Sequence, residues 1–395
     1  MKQVICTEKK PIKLWLDDME DGALAQAKNL ANLPFIFKHI AIMPDSHQGY
    51  GMPIGGVMAT KGVVVPNAVG VDIGCGMCAV KTSLHELTTD ELKKIMGGTK
   101  EYKGGIRSAV PVGFSHQSKR QDESFMPSGF TGLDLPIVAR EYQSALKQIG
   151  TLGGGNHFIE IQKGSDGFIW LMIHSGSRNM GYQVAKHYND VAIALNEKWK
   201  VGVPKEWQLA YLPLDSPEGE SYMAEMQFCV DFALNSRKLM MDRVQGCVSE
   251  IVGAVTFDEP INIAHNYAAM ENHFKTNVMV HRKGATKAYA GQFGVIPGSQ
   301  GTSSYIVTGK GEPDSFKSCS HGAGRKMGRK QAQRELNFDE EKSRLDAIGV
   351  IHTIRNAKDL DEAPGSYKDI AVVMDNQSDL VEIKVELRPL AVIKG

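Results

Sequence analysis

The chain has 395 residues with 45 basic and 45 acidic side chains, so its formal net charge is zero. No global field draws it to nucleic acid, and any polyanion must be met by a local patch. With 42% apolar and 23% charged residues, it has the composition of an ordinary globular protein able to bury a large core.

Six cysteines in a chain of this length do not make a disulfide framework. Cys6, Cys229 and Cys247 lie in or beside apolar sequence and read as buried small hydrophobes. Residues 1–6 open no apolar signal-peptide core, and no apolar run reaches the length of a bilayer. A cytoplasmic protein with no membrane partner is the expectation.

Residues 39–43 read as a strand, followed by a glycine-rich stretch at 48–56. The apolar run 62–69 feeds Gly70-Val71-Asp72-Ile73-Gly74-Cys75-Gly76-Met77-Cys78, too rich in glycine for a core strand or a helix. Asp72 and Cys75 stand three apart there, a carboxylate and a thiol that together suit a transition metal. The alternative is a turn aspartate beside a buried thiol. Cys75 and Cys78 also form a C-x-x-C pair, open to redox or metal chemistry, although a redox pair normally opens a helix after a strand. Thr88-Thr89-Asp90-Glu91 is a capping box that predicts a short helix ending at Gly97-Gly98. Polar residues 115–132 predict a mobile surface loop. Pro136 and Gly150 bracket a helix over 136–149.

Gly153-Gly154-Gly155-Asn156-His157 leads into the alternating strand Phe158-Ile159-Glu160-Ile161. The triple glycine clears one face, which lets a ligand lie against the backbone; a lone histidine entering a strand is otherwise a core or edge residue. The strand at 168–174 ends in His174-Ser175-Gly176-Ser177-Arg178, which suits an oxyanion or phosphate, or forms an ordinary capping turn. A 3.6-residue apolar rhythm over 217–252 predicts one or two long helices. His265 falls in the polar cluster His265-Asn266-Tyr267, which says little alone. Further strands are expected at 278–281, 304–308 and 380–393.

Pro297-Gly298-Ser299-Gln300-Gly301-Thr302-Ser303-Ser304 offers hydroxyls and backbone N–H groups, a phosphate or ribose cradle without the Walker pattern. Ser320-His321-Gly322-Ala323-Gly324 precedes a helix expected from Arg325. The basic residues Arg325, Lys326, Arg329 and Lys330 would meet phosphate at its amino terminus, or form a solvated face. The glycine clusters suggest several loops converging on one site. Irregular spacing of the strands favours neither a doubly wound sheet nor a barrel.

Together with Met43-Pro44-Asp45-Ser46-His47-Gln48-Gly49-Tyr50-Gly51, these motifs are similar to those of the RtcB-type RNA ligases, from Phe35 to Gly395. The resemblance implies an RtcB-like α+β fold, a single compact mixed domain over residues 1–395 with a central cleft. It implies a GTP- and manganese-dependent enzyme that joins RNA 3′-phosphate or 2′,3′-cyclic phosphate ends to 5′-hydroxyl ends. The route would run through a guanylated histidine and an RNA-(3′)pp(5′)G intermediate, in tRNA splicing or RNA repair. RNA with those ends would be the partner, and some members also need an activating protein.

The same resemblance implies two manganese ions bridged by Cys75, with Asp72 and His157 on one and His174 and His265 on the other. His321 would be the nucleophile, with Asp45 and Arg178 beside it in catalysis and Arg178 on the terminal RNA phosphate. The nucleotide would be held by Asn156, His157, Phe158, Ile159, Glu160, His265, Asn266, Pro297, Gly298, Ser299, Gln300 and Ser304. His321, Gly322, Ala323, Gly324, Tyr367 and Lys394 would complete its site, with Glu160 and Lys394 at the guanine edge and Tyr367 stacking on the base. Ser46 and Gln300 depart from the commonest family residues, valine or alanine and methionine. Two rivals remain: a metal-dependent phosphoesterase that is never guanylated, and an RNA-binding protein with a degenerate site. The first has no use for His321 and Lys394, and the second ought to lack a ligand.

Overall fold

In the computed structural model, which describes residues 1–130 and 132–395, two sheets hold most of the strands. Near-continuous apolar sequence makes Gly76–Lys81, Phe158–Gly164 and Ile169–Ser175 strands buried along almost their whole length, as a sheet covered on both faces requires. They join Ile261–Ala264, Val381–Lys394, Ser304–Gly309 and Phe293–Ile296 in a seven-stranded antiparallel sheet. The six-stranded sheet carries Ile36–His47 and Ile54–Thr60 beside Thr276–Lys283 and Asn266–His273. With helices packed on these sheets, the fold is α+β.

The rhythm over 217–252 becomes one uninterrupted helix, Pro217–Val252. Ser216 caps it, its hydroxyl accepting from the Gly219 N–H at 3.0 Å. Met240, Met241, Val244 and Val248 pack against Ile159, Ile161 and Ile173 of the sheet. The Thr88 capping box forms with both its bonds ahead of Thr89–Met96, and Pro136–Gln148 starts at its proline. Two helices, Asp21–Ala31 and Arg178–Lys198, lie outside the expectations. Among the described residues no helix is long and apolar enough to cross a membrane.

Three expectations are corrected. Cys6 is exposed, because it lies just past the short edge strand Gln3–Ile5. The helix expected from Arg325 begins at Arg329, because Arg325 is drawn into a bridge with Tyr367. Within 115–132, where Thr131 lies outside the described residues, Glu123–Phe125 forms a helical turn and Met126 is buried in the core.

The sheets bring the ligand candidates to one rim. Ile261–Ala264 belongs to one sheet and Asn266–His273 to the other, so His265 alone spans the seam. Met77 stands opposite both His174 and Ile263, and Phe158 opposite His174. Cys75 and His157 each immediately precede a strand. From the other sheet, Thr276–Lys283 turns at Gly284 into Ala285–Lys287, which pairs with Ser318–Ser320 and delivers His321 to the seam.

A buried ion pair fixes that last strand. Arg282 donates to Glu271 Oε1 at 2.7 Å and Oε2 at 3.0 Å, to the Ser318 hydroxyl at 2.9 Å and to the Phe316 carbonyl at 3.0 Å. Burial alone would push the Glu271 carboxyl up, but the Arg282 charge prevails and holds it well below the carboxylate range. Glu271→Ala leaves Arg282 buried without its counter-ion, and should cost about 3–5 kcal/mol. The check is denaturant unfolding; a midpoint unchanged within error would contradict this role.

Candidate active site

Five of the side chains singled out in the sequence form one row of contacts. Asp72 Oδ2 lies 3.1 Å from His157 Nε2, which lies 3.4 Å from Cys75 Sγ. The same sulfur is 3.3 Å from His174 Nε2, and that nitrogen is 3.4 Å from His265 Nε2. Cys75 therefore stands in the middle, with a carboxylate and an imidazole on one side and two imidazoles on the other. A Cβ at Gly176 would fall 2.1 Å from Asp72 Oδ1, which is why the turn after His174 needs glycine.

Protonation in this row follows from its surroundings. His174 Nδ1 donates to the Asn156 carbonyl at 3.0 Å. A carbonyl only accepts, so the proton sits on Nδ1 and the Nε2 lone pair faces the cluster. Burial lowers His174 and His265 well below the ordinary histidine range. It raises the Cys75 thiol, and the charge of Asp72 raises it further. Burial also pushes Asp72 up, but its hydrogen bond to His157 and the His157 charge prevail and leave it at about 2. The neutral His174 and His265 imidazoles, the Asp72 carboxylate and the Cys75 thiol, with the His157 ring between the last two, are a transition-metal donor set. Donor atoms of Cys75, His157 and His174 all lie within 4.8 Å of one another. These residues fit a bound metal ion, whose charge would take the place of the thiol proton. Cys78 packs on the opposite side, with Ile159 and Ile173, and both cysteines are free thiols.

At the far end of the row stands His321. Its Nδ1 is 2.6 Å from Asp45 Oδ2, and the same oxygen accepts from the backbone N–H groups of His321 at 3.1 Å and Gly322 at 3.3 Å. Burial pushes the Asp45 carboxyl up, while the charge and hydrogen bond of His321 bring it below the ordinary value. An ionised carboxylate only accepts, so Nδ1 carries the proton and Nε2 keeps a free lone pair. The His321 ring centre lies 4.7 Å from that of His265.

A cavity of about 310 Å³ opens beside His321. Asn156, Phe158, Glu160, Asn266, Pro297, Gly298, Ser299, Gln300, Gly322, Ala323, Gly324, Tyr367 and Lys394 line it. Phe158 and Glu160 share one side of their strand, whereas Ile159 between them turns its side chain into the core. Ser304 sits behind the cradle, its hydroxyl accepting from the Gly298 N–H at 3.1 Å and the Gln162 amide at 3.2 Å. The Asn266 amide is engaged within the protein: it donates to the Asp72 carbonyl at 3.1 Å and accepts from the Gly284 N–H at 2.7 Å.

Burial pushes Glu160 up to about 8, against the pull of Lys394 and a hydrogen bond from Gln162. Lys394 donates to Glu362 at 2.6 Å. Glu362 also accepts from Arg325, Arg329 and the Tyr367 hydroxyl, and Arg325 lies 5.1 Å from the Tyr367 ring centre. Sequence reasoning missed Glu362, which stands in no motif. It left His47, which also lines the cleft, without a role. Arg178 donates to the Gly113 carbonyl at 3.1 Å and the Thr151 hydroxyl at 3.3 Å. A Cβ on Gly153 would meet both Arg178 Nη1, at 2.1 Å, and His157 Nδ1, at 2.5 Å. That glycine lets the arginine lie against His157.

The family model described as tRNA-splicing ligase RtcB matches residues 26–130 and 129–395. The chain is 37% identical to the RNA-splicing ligase RtcB of Escherichia coli strain K12, over 100% of this chain and 99% of that protein. It is 32% identical to the tRNA-splicing ligase RtcB of Thermococcus kodakarensis, and 31% to that of Nanoarchaeum equitans, each over 98% of this chain and 95% of the relative.

The row makes a graded prediction. Cys75→Ala should weaken binding of an added divalent transition metal more than Asp72→Ala does, since the sulfur touches both halves of the row and the carboxylate only one. Cys78→Ala should leave the metal in place. Elemental analysis after dialysis reads this, and a site emptied by Cys78→Ala but not by Cys75→Ala would contradict it.

Proposed function

This chain belongs to the RtcB family of ligases, and from that membership we propose that it joins RNA ends at the expense of GTP, with manganese. One observation carries the proposal: His321 is backed by Asp45, flanked by His265 and faces a nucleotide-sized cleft. A phosphoesterase working on the same metals has no need of that arrangement.

Asp72, Cys75 and His157 would hold one manganese ion, and Cys75, His174 and His265 the second. When bound there, such ions polarise phosphoryl oxygens and neutralise charge on a leaving group. GTP, a substrate, would enter the cleft with its phosphates toward the backbone N–H groups of Gln300, Ala323 and Gly324, and its guanine toward Glu160 and Lys394. Asp45 keeps the proton on Nδ1 of His321, so Nε2 is the nucleophile. Nε2 attacks the α-phosphorus, the P–O bond to pyrophosphate breaks, and a phosphoramidate forms. Asp45 also stabilises the positive charge that develops on the imidazole.

Arg178 would grip the RNA 3′-phosphate with its planar fork. A 3′-phosphate oxygen then attacks the phosphorus on His321, and the P–N bond breaks to give RNA-(3′)pp(5′)G. The 5′-hydroxyl of the other strand attacks the RNA 3′-phosphorus, and guanosine monophosphate leaves. A 2′,3′-cyclic phosphate must first be opened by water to the 3′-phosphate. The proposal is tested by supplying 3′-phosphate and 5′-hydroxyl oligoribonucleotides with manganese and GTP. Joined RNA is expected, and equal joining without GTP would overturn the reading.

Asp45→Asn presents an amide that can also donate, so it no longer selects the tautomer. Guanylation should slow by about 10²–10⁴-fold with bound manganese unchanged; a rate near wild type would remove Asp45 from this role.

Guanine offers two N–H donors side by side, both of which a carboxylate accepts, whereas a carboxylic acid, with one oxygen protonated, accepts only one. Because Glu160 is raised to about 8, it is mostly protonated at neutral pH, and GTP binding must release that proton. Affinity for GTP should therefore rise roughly tenfold per pH unit from pH 6 to 7 and level off above about 8. Calorimetry in buffers of different ionisation enthalpy reads the released proton. A flat profile would place the guanine elsewhere.

A further inference from the structure

The long helix Pro217–Val252 runs beneath the ligand row, and its Arg237 is fully buried. Nη1 donates to the Gly74 carbonyl at 2.9 Å and the Ser175 carbonyl at 2.8 Å. Nε donates to Asn262 Oδ1 at 2.9 Å, and Nη2 reaches the Ile263 carbonyl at 3.4 Å. No carboxylate is among these partners. A buried guanidinium without a counter-ion is tolerated only where its donors are satisfied, and here four acceptors satisfy them.

The acceptors are not scattered. Gly74 immediately precedes Cys75, Ser175 immediately follows His174, and Ile263 stands two before His265. Three ligand-bearing segments, from three neighbouring strands, thus converge on one side chain. Asn262 is itself fixed to the helix, its amide donating to the Leu234 carbonyl at 2.9 Å. Because a guanidinium is rigid and planar, its donors hold their acceptors at set separations, which an ammonium on a flexible stem does not do.

We propose that Arg237 is the positioning residue of the metal centre: it fixes the spacing of Cys75, His174 and His265, and so how tightly the row closes on a metal ion. This rests on the metal reading above. A merely space-filling arginine affects stability alone. A clamp also changes metal affinity and ligand field in protein that remains folded.

The test uses full-length Arg237→Lys, Arg237→Gln and Asn262→Ala, with folding followed by circular dichroism. Cobalt(II) serves as the probe, read through its d–d bands and the thiolate charge-transfer band. Both Arg237 variants should bind cobalt about 10–100-fold more weakly, with altered d–d bands. Asn262→Ala frees only Nε and should show a smaller loss of the same sign. Wild-type affinity and spectrum in folded Arg237→Lys would overturn the proposal. Should both Arg237 variants fail to fold, unchanged cobalt binding by Asn262→Ala overturns it instead, and weakened binding supports it. If wild-type protein takes up no cobalt, or Cys75→Ala keeps the charge-transfer band, the metal reading itself fails, and the clamp falls with it.

Discussion

A sulfur midway along a row of lone pairs, buried but for Asp72 at one end, is the feature on which the rest of the site depends. Cys75 Sγ is 3.4 Å from His157 Nε2 and 3.3 Å from His174 Nε2, with Asp72 beyond the first and His265 beyond the second. Burial disfavours charge on the thiol and on the His174 and His265 imidazoles, so each is drawn to its neutral form. A divalent cation changes that balance, since it stabilises a thiolate and needs unprotonated nitrogens. Donors on both sides of one sulfur would let this row hold metal, which would supply positive charge for phosphoryl oxygens. The fold serves it by ending strands at one rim and by passing from sheet to sheet at His265.

The chain's zero net charge is compatible with polyanionic substrates because the positive charge is local. Arg325, Arg329 and Lys394 gather around Glu362 beside the cleft, and Arg178 lies beside His157. Each of these cations has a carboxylate or a carbonyl to hold it in place. Glu160, buried and raised to about 8, is an acid of the cleft that changes its charge near neutral pH. Arg325, Arg329, Lys394 and Glu160 all line one cavity, and His321 stands between that cavity and the row of Cys75 and its neighbours.

Much of this was legible in the sequence, because short glycine-rich motifs fix local geometry whatever surrounds them. Asp72, Cys75, His157, His174 and His265 are brought together from four separate segments; glycine-containing turns had marked the first four residues, and only its polar neighbours had marked His265. Strong periodicity found the Pro217–Val252 helix and the buried strands. Arg178–Lys198 escaped because its polar residues obscure the apolar stripe. Arg325 was assigned to a helix on local pattern, and a long-range bridge to Tyr367 took it out. Glu362 and Arg237 could not have been found, since an ordinary charged residue acquires its role only from the partners that the fold brings to it.

The central claim is that His321, held by Asp45 at the end of a metal row, accepts guanosine monophosphate through Nε2. Incubating the intact protein with manganese and GTP, then mapping the modified peptide by mass spectrometry under alkaline conditions that preserve a phosphoramidate, tests it most directly. The account predicts one guanosine monophosphate per chain, acid-labile and confined to His321. A manganese-loaded protein that carries no adduct, or carries it on another residue, would contradict it.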